Sequence, residues 1–231
     1  NTQGIKMLID GDWVTADGTT LGADNGMGVA AIIYLLVSKD IPHPALEALF
    51  TIDEETGMTG AFELEKNILD GTILLNLDTE DDDEFSIGCA GGIDTNTNYD
   101  YLPVNTNDSD VAFEISVTGL KGGHSGMDIH LERGNANKIM NRLIGSLEEF
   151  NVRIFSIDGG SLRNAIPRES FAKIVVDNKN IAENLNEEIK VIKQEFSISD
   201  ANLTVSFNEV STPENSMSVS DTKKVIQSIR A

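Results

Sequence analysis

The chain has 231 residues, 40% of them hydrophobic, a mean hydropathy of -0.15 and a formal net charge of -21. That length admits one large domain or two small ones, and no apolar run approaches the roughly 18 residues needed to span a bilayer. A surface this negative repels phosphate backbones and anionic lipid, which sets aside nucleic acid and membranes as partners.

The start, Asn1-Thr2-Gln3-Gly4, has neither a basic region nor an apolar core, so no signal peptide is expected. One cysteine, Cys89, excludes an internal disulfide and fits a reducing, cytoplasmic setting. The first residue is not Met, and residues 222–231 read as an uncapped helix. Both are expected of an internal fragment.

Residues 25–38 form the first predicted helix. Asn25 can cap it, and Met27, Val29, Ala30, Ile33, Leu36 and Val37 leave almost no polar face. A helix apolar nearly all round is expected to lie buried against a sheet. Residues 46–52 and 73–77 read as buried strands, 59–66 as a short helix, and 85–89 as a further strand. This alternation predicts a parallel α/β layer. The segment 96–110, rich in Asn, Asp and Thr, reads as a connection.

After it, Val111, Phe113, Ile115 and Val117 alternate as in a half-buried strand. Residues 135–150 form an amphipathic helix with Ile139, Leu143, Ile144 and Leu147 on one face. Strands are expected at 152–157, 171–176 and 203–207, with a charged helix at 181–196. The second half thus reads as a small α+β domain with helices on one face of an antiparallel sheet. The division falls near residues 100–110, giving domains of 1–105 and 106–231.

Three apolar segments each run into a carboxylate. Residues 46–52 end at Asp53-Glu54-Glu55, residues 73–77 at Asp78, and Thr20-Leu21-Gly22-Ala23 at Asp24. Open α/β sheets present ligands at the carboxyl ends of their strands, and divalent cations accept oxygen donors. Four such acids suffice for a carboxylate bridging two metals, terminal ligands and a base.

Each acid also has a plainer reading. Asp24 can simply assist Asn25 in capping the helix. Glu54 and Glu55 would face opposite ways in a continuing strand, so they share a site only if the chain bends; otherwise they make a solvated turn. The run 80–84 is read as a solvated loop. Imidazole, common in zinc sites, is missing from the pattern, because His43, His124 and His130 lie at no ligand-like spacing.

Several motifs together resemble the aminoacyl-histidine dipeptidases, also called Xaa-His or cytosol non-specific dipeptidases. They are Asp10-Gly11-Asp12-Trp13, Thr20-Leu21-Gly22-Ala23-Asp24-Asn25-Gly26 and Thr51-Ile52-Asp53-Glu54-Glu55-Thr56-Gly57-Met58. Asn76-Leu77-Asp78-Thr79-Glu80, Gly88-Cys89-Ala90-Gly91-Gly92, Gly122-Gly123-His124-Ser125-Gly126 and Arg163-Asn164-Ala165-Ile166-Pro167 fit as well. That family belongs to a larger group of co-catalytic zinc peptidases that includes the aminoacylases.

The resemblance implies an incomplete three-layer α/β catalytic domain with an inserted, incomplete α+β lid domain. It implies two zinc ions, with cobalt or manganese also able to occupy such sites. Asp24 would bridge them, Glu55 and Asp78 would be terminal ligands, and Glu54 the general base. His124 would come from the lid to stabilise the oxyanion, and Asn164 would hydrogen-bond the substrate. The substrate would be a dipeptide with a free N-terminus, Xaa-His among them, and a homodimer is compatible with the family. A tripeptidase or an N-acyl amino-acid deacylase of the same group is the nearest alternative. A catalytically silent binding or dimerisation protein on the same scaffold is the alternative from another class.

The chain also departs from the family. The upstream His-x-Asp and the distant downstream His ligand are not in it, and His43, between Pro42 and Pro44, follows the wrong helix. Where some relatives end a strand with a substrate-binding Arg, this chain has Asp177, leaving Arg163 as a substitute or as a structural or surface residue. The chain is therefore expected to carry only the carboxylate part of a dinuclear site and to hydrolyse peptides poorly by itself. Isothermal titration with zinc should find no pair of tight sites on it; two tight sites would refute the expectation.

Overall fold

The computed structural model describes residues 4–19, 21, 24–79, 83–88 and 91–230. Thr20, Gly22, Ala23, Cys89 and Ala90 of the quoted motifs lie outside the described residues, as do residues 80–82 of the acidic run. The chain divides into two compact units, Asn1–Ile93 and Asp94–Ala231.

In the first unit β1 (Met7–Asp10) and β2 (Trp13–Ala16) form an antiparallel hairpin in which Met7 faces Ala16 and Asp10 faces Trp13. Gly11 turns the chain with φ 60°, a conformation open to residues without a Cβ. Then come α1 (Gly26–Val37) and the single turn α2 (Thr59–Phe62), shorter than the helix expected over 59–66.

Two expectations for this unit are corrected. Helix α1 forms, but it is not buried: Gly28 is its one buried residue, and Ile33 is 50% exposed. The apolar segments 46–52, 73–77 and 85–88 join no ladder among the described residues, where the hairpin is the unit's one paired sheet. A strand exists only when its N–H and C=O groups meet a neighbour's. These segments find no such neighbour, and Ile73 remains 83% exposed. Their apolar character records a burial that the described residues do not supply.

In the second unit β4 (Val111–Thr118), β5 (Arg153–Gly159), β6 (Ser170–Val176) and β7 (Thr204–Val210) form one antiparallel sheet, ordered β5-β6-β4-β7. A short pair, β3 (Val104–Asn105) with β8 (Asn215–Ser216), flanks it. Helix α3 (Ala136–Gly145) connects β4 to β5, and α4 (Ala182–Glu195) connects β6 to β7. That order and those crossovers make a split βαβ layer of the ferredoxin-like kind.

Alternation delivers Phe113, Ile115 and Val117 of β4 and Ala172, Ile174 and Val176 of β6 to the inner face. Against them pack Ile139, Met140, Leu143 and Ile144 of α3, Leu185 and Ile192 of α4, and Ile226. Asn135 starts α3 by accepting from the Asn137 and Lys138 N–H groups at 3.0 and 3.2 Å. The predicted strands and helices of this half therefore form close to their expected positions. The last helix, α5 (Val219–Arg230), begins earlier than expected and is capped: Ser218 Oγ accepts from the Asp221 N–H at 3.0 Å and donates to its carboxylate at 2.7 Å.

One ion pair is built into this layer. Arg153 Nη2 lies 2.7 Å from Asp110 Oδ1, and both residues are buried. Burial alone would raise the Asp110 carboxyl. The hydrogen bond from Arg153, the Asn107 N–H and the Arg153 charge outweigh it and hold the group below its usual value. Asp200 is likewise lowered: burial opposes, but the Gly134 and Lys121 N–H groups prevail.

A depressed carboxyl contributes stability that is present above its unfolded pKa, about 3.9. It is lost as pH falls through the lower folded value. Denaturation curves should therefore weaken in acid below about pH 4, and Asp110→Asn should flatten that dependence. Arg153→Ala, which strands a buried carboxylate, should cost about 3–5 kcal/mol.

Candidate functional site

Asp24 precedes α1 directly, and its neighbour Asn25 holds two elements at once. Asn25 Oδ1 accepts from the Gly28 N–H at 2.7 Å, while its Nδ2 donates to the Leu77 carbonyl at 2.9 Å. The first bond caps the helix that Asp24 precedes, and the second draws in the residue before Asp78. Gly28 makes room for this, since a Cβ there would lie 2.5 Å from Asn25 Nδ2.

The Glu54-Glu55 pair lies in a bend. Asp53 and Met58 both take left-handed backbone at φ 58°. The Gly57 and Met58 N–H groups close back on the Asp53 carbonyl at 3.2 and 2.6 Å. Gly60 approaches so near to Ile52 that a Cβ would stand 2.7 Å from its backbone nitrogen. The condition for two adjacent glutamates to serve one site, a turn between them and the strand direction, is met.

Asp24, Glu55 and Asp78 are brought together. Burial raises the Asp78 carboxyl above its usual value, and the Asp24 charge, a side-chain hydrogen bond with Asp24 and the Glu55 charge push it further the same way. Like charges this close favour the protonated form of one of them. No group of three His, Cys, Asp or Glu side chains among the described residues is placed to hold a metal ion. The donor set nevertheless fits a cation: it is all oxygen, and a divalent charge would remove the repulsion that Asp78 records. His43, in the same unit, is exposed with Nδ1 2.7 Å from the Pro44 carbonyl.

The second unit joins the other three candidates. His124 pairs with Ala165 in an antiparallel bridge, with Ser125 N–H on the Asn164 carbonyl at 2.7 Å and Ile166 N–H on the Gly123 carbonyl at 2.8 Å. His124 and Asn164 thus lie on neighbouring backbone segments. The Gly126 and Met127 N–H groups both donate to His124 Nδ1 at 3.1 Å. A neutral ring must then carry its proton on Nε2, leaving that atom as the donor. Gly123, at φ 143°, packs where a Cβ would strike Asp128 and Arg133. Arg163 ion-pairs with Asp94 at 2.6 Å on the exposed surface. Beside the bridge lies a cleft of about 750 Å³, walled in part by Ser125, Asn137, Arg163, Ala165 and Phe196.

Two residues escaped the sequence reading. Asp128 accepts from the His124 N–H at 2.8 Å, and its four-residue spacing was a visible signal. Asp200 accepts from the Lys121 and Gly134 N–H groups, both at 2.8 Å, across 79 and 66 residues, where no local pattern could reveal it.

Residues 115–201 match the family model of the peptidase dimerisation domain. The chain is 44% identical over 210 residues to the cytosol non-specific dipeptidase of Escherichia coli (strain K12), covering 89% of this chain and 43% of that protein. Among solved structures, the aminoacylhistidine dipeptidase from Vibrio alginolyticus aligns with a TM-score of 0.63 and 38% identity, over 99% of this chain and 47% of that one. Peptidase T of Aliivibrio salmonicida (strain LFI1238) is 46% identical over 68 residues, 27% of this chain and 17% of that protein. The chain spans about half the length of the dipeptidases it matches.

Gly28→Ala tests the Asn25 joint. In an ordinary helix interior that change stabilises by roughly 1 kcal/mol. Here the methyl must displace Asn25 and forfeit both of its hydrogen bonds, so thermal or urea denaturation of the variant should show a net loss of stability.

Proposed function

We propose, from the likeness to the cytosol non-specific and aminoacylhistidine dipeptidases, that the chain belongs to that family and is part of a cytosolic metallo-dipeptidase. The enzyme hydrolyses dipeptides with a free N-terminus, Xaa-His among them. The observation that carries this reading is the gathering of Asp24, Glu55 and Asp78: burial raises the Asp78 carboxyl, and the two neighbouring acids push it further the same way. In this reading Asp24, as the shared ligand, and Glu55 and Asp78, as terminal ligands, would hold two divalent cations, zinc with cobalt or manganese as substitutes. Bound there, the ions supply Lewis acidity toward the substrate carbonyl and water.

Glu54, on the same bend as Glu55, accepts the proton of the attacking water and delivers it to the leaving amine. The Asp94–Ala231 unit acts as the lid domain. From it, His124 presents Nε2–H to the developing oxyanion, and Asn164 hydrogen-bonds the substrate. Arg163 is a further substrate contact only if it leaves Asp94. The match to a dimerisation domain supports assembly as a homodimer. A tripeptidase is the second reading, supported by the 68-residue likeness to peptidase T. The intact set of four acids counts against a catalytically silent scaffold protein.

The reading is tested in the full-length protein on an unblocked dipeptide, a tripeptide and an N-acetyl amino acid. Dipeptide cleavage should dominate; dominant tripeptide cleavage would transfer the assignment to the second reading. Glu54→Gln should lower kcat about 10²–10⁴-fold while metal content stays unchanged. Undiminished activity would remove Glu54 as the base.

A further inference from the structure

The segment from Lys121 to Gly134 carries His124, and both of its ends are held by one carboxylate. Asp200 Oδ1 accepts from the Lys121 N–H and Oδ2 from the Gly134 N–H, each at 2.8 Å. Asp200 is 1% exposed and lies in the turn between α4 and β7, far in sequence from the segment it holds. That turn is itself fixed. Asp200 N–H bonds the Phe196 carbonyl at 2.9 Å, and Leu203 N–H bonds the Asp200 carbonyl at 2.9 Å. Gly119, at φ 80°, runs so close to Asn202 that no side chain fits there.

Within the segment a second set of bonds passes from the ends to the His124 backbone. Arg133, next to the Gly134 anchor, donates to the Gly122 carbonyl at 2.6 Å. Asp128 lies 3.6 Å from Arg133 and accepts the His124 N–H. Glycines at 122, 123 and 126 give the segment little stiffness of its own. Its geometry is therefore imposed from outside.

We propose that Asp200 is a positioning residue for His124: one buried carboxylate closes the His124 loop at both ends and so fixes where the imidazole Nε2–H is presented. This rests on the oxyanion role given to His124 above. Displacement of a catalytic donor by about 1 Å can cost on the order of 100-fold in rate, so the clasp bears on turnover rather than on substrate capture.

Asp200→Asn is the direct test, since the amide keeps one acceptor and turns N–H groups toward the other backbone N–H. In the full-length protein acting on an unblocked dipeptide, kcat should fall about tenfold or more, with KM changed far less. The same substitution in a His124→Ala background should have little further effect on kcat. An equal loss in both backgrounds would make Asp200 merely structural and overturn the proposal. If His124→Ala alone leaves kcat unchanged, the oxyanion role fails and the proposal with it, a result distinct from uncoupled losses. Should Asp200→Asn not fold, amide hydrogen exchange on the unmodified protein decides. Lys121 and Gly134 should exchange as slowly as the interior of β4, and fast exchange at either would overturn the clasp.

Discussion

A single carboxamide sets the geometry of the acidic cluster. Asn25 caps α1 with its oxygen and grips the Leu77 carbonyl with its nitrogen. Asp24 and Asp78 are the immediate neighbours of the two residues so joined, and their proximity follows. The magnitudes show how weakly a neutral joint of this kind holds like charges together. Two charges 4 Å apart near a protein surface repel by about 4 kcal/mol, whereas a net hydrogen bond contributes about 1 kcal/mol. Burial raises the Asp78 carboxyl first, and the Asp24 and Glu55 charges push it the same way; in the proposed function a divalent charge would offset that repulsion.

The second unit solves a different problem by similar means. A glycine-rich segment has to hold an imidazole in one tautomer and one place. The ring is oriented by two backbone N–H groups on Nδ1, the His124 backbone N–H is held by Asp128, and its neighbours are laddered to the Asn164 segment. The ferredoxin-like layer beneath is ordinary apolar packing with one buried ion pair, Asp110–Arg153. In the proposed function the two units would divide the chemistry: acids for metal and proton transfer in one, donors for the substrate and its developing charge in the other.

The second unit was legible in the sequence because its sheet, helices and core close on themselves. Val111, Phe113, Ile115 and Val117 alternate, and the residues they bury against lie within the same unit. In the first unit the apolar segments were equally plain, yet 46–52 and 73–77 join no ladder among the described residues. An apolar run reports that a segment is suited to burial, not which chain pairs with it. The relatives are about twice as long, and the described residues hold no pairing partner for these runs.

The acids could be read because each ends an apolar run. What could not be read was how they meet: the Asn25–Leu77 bond crosses 52 residues and the Asp200 clasp more. Long-range polar contacts leave no periodicity behind. His124 was visible through its glycines, while its tautomer depended on backbone N–H groups that only the fold positions.

The central claim is that Asp24, Glu55 and Asp78 hold metal and that Glu54 does not. Anomalous X-ray scattering at the zinc edge, on crystals of the full-length protein grown with zinc, tests it most directly. The account predicts anomalous peaks within about 2.0–2.2 Å of carboxylate oxygens of Asp24, Glu55 and Asp78, with Glu54 outside that shell. Peaks ligated by Glu54, or no peak at Asp24, would contradict it.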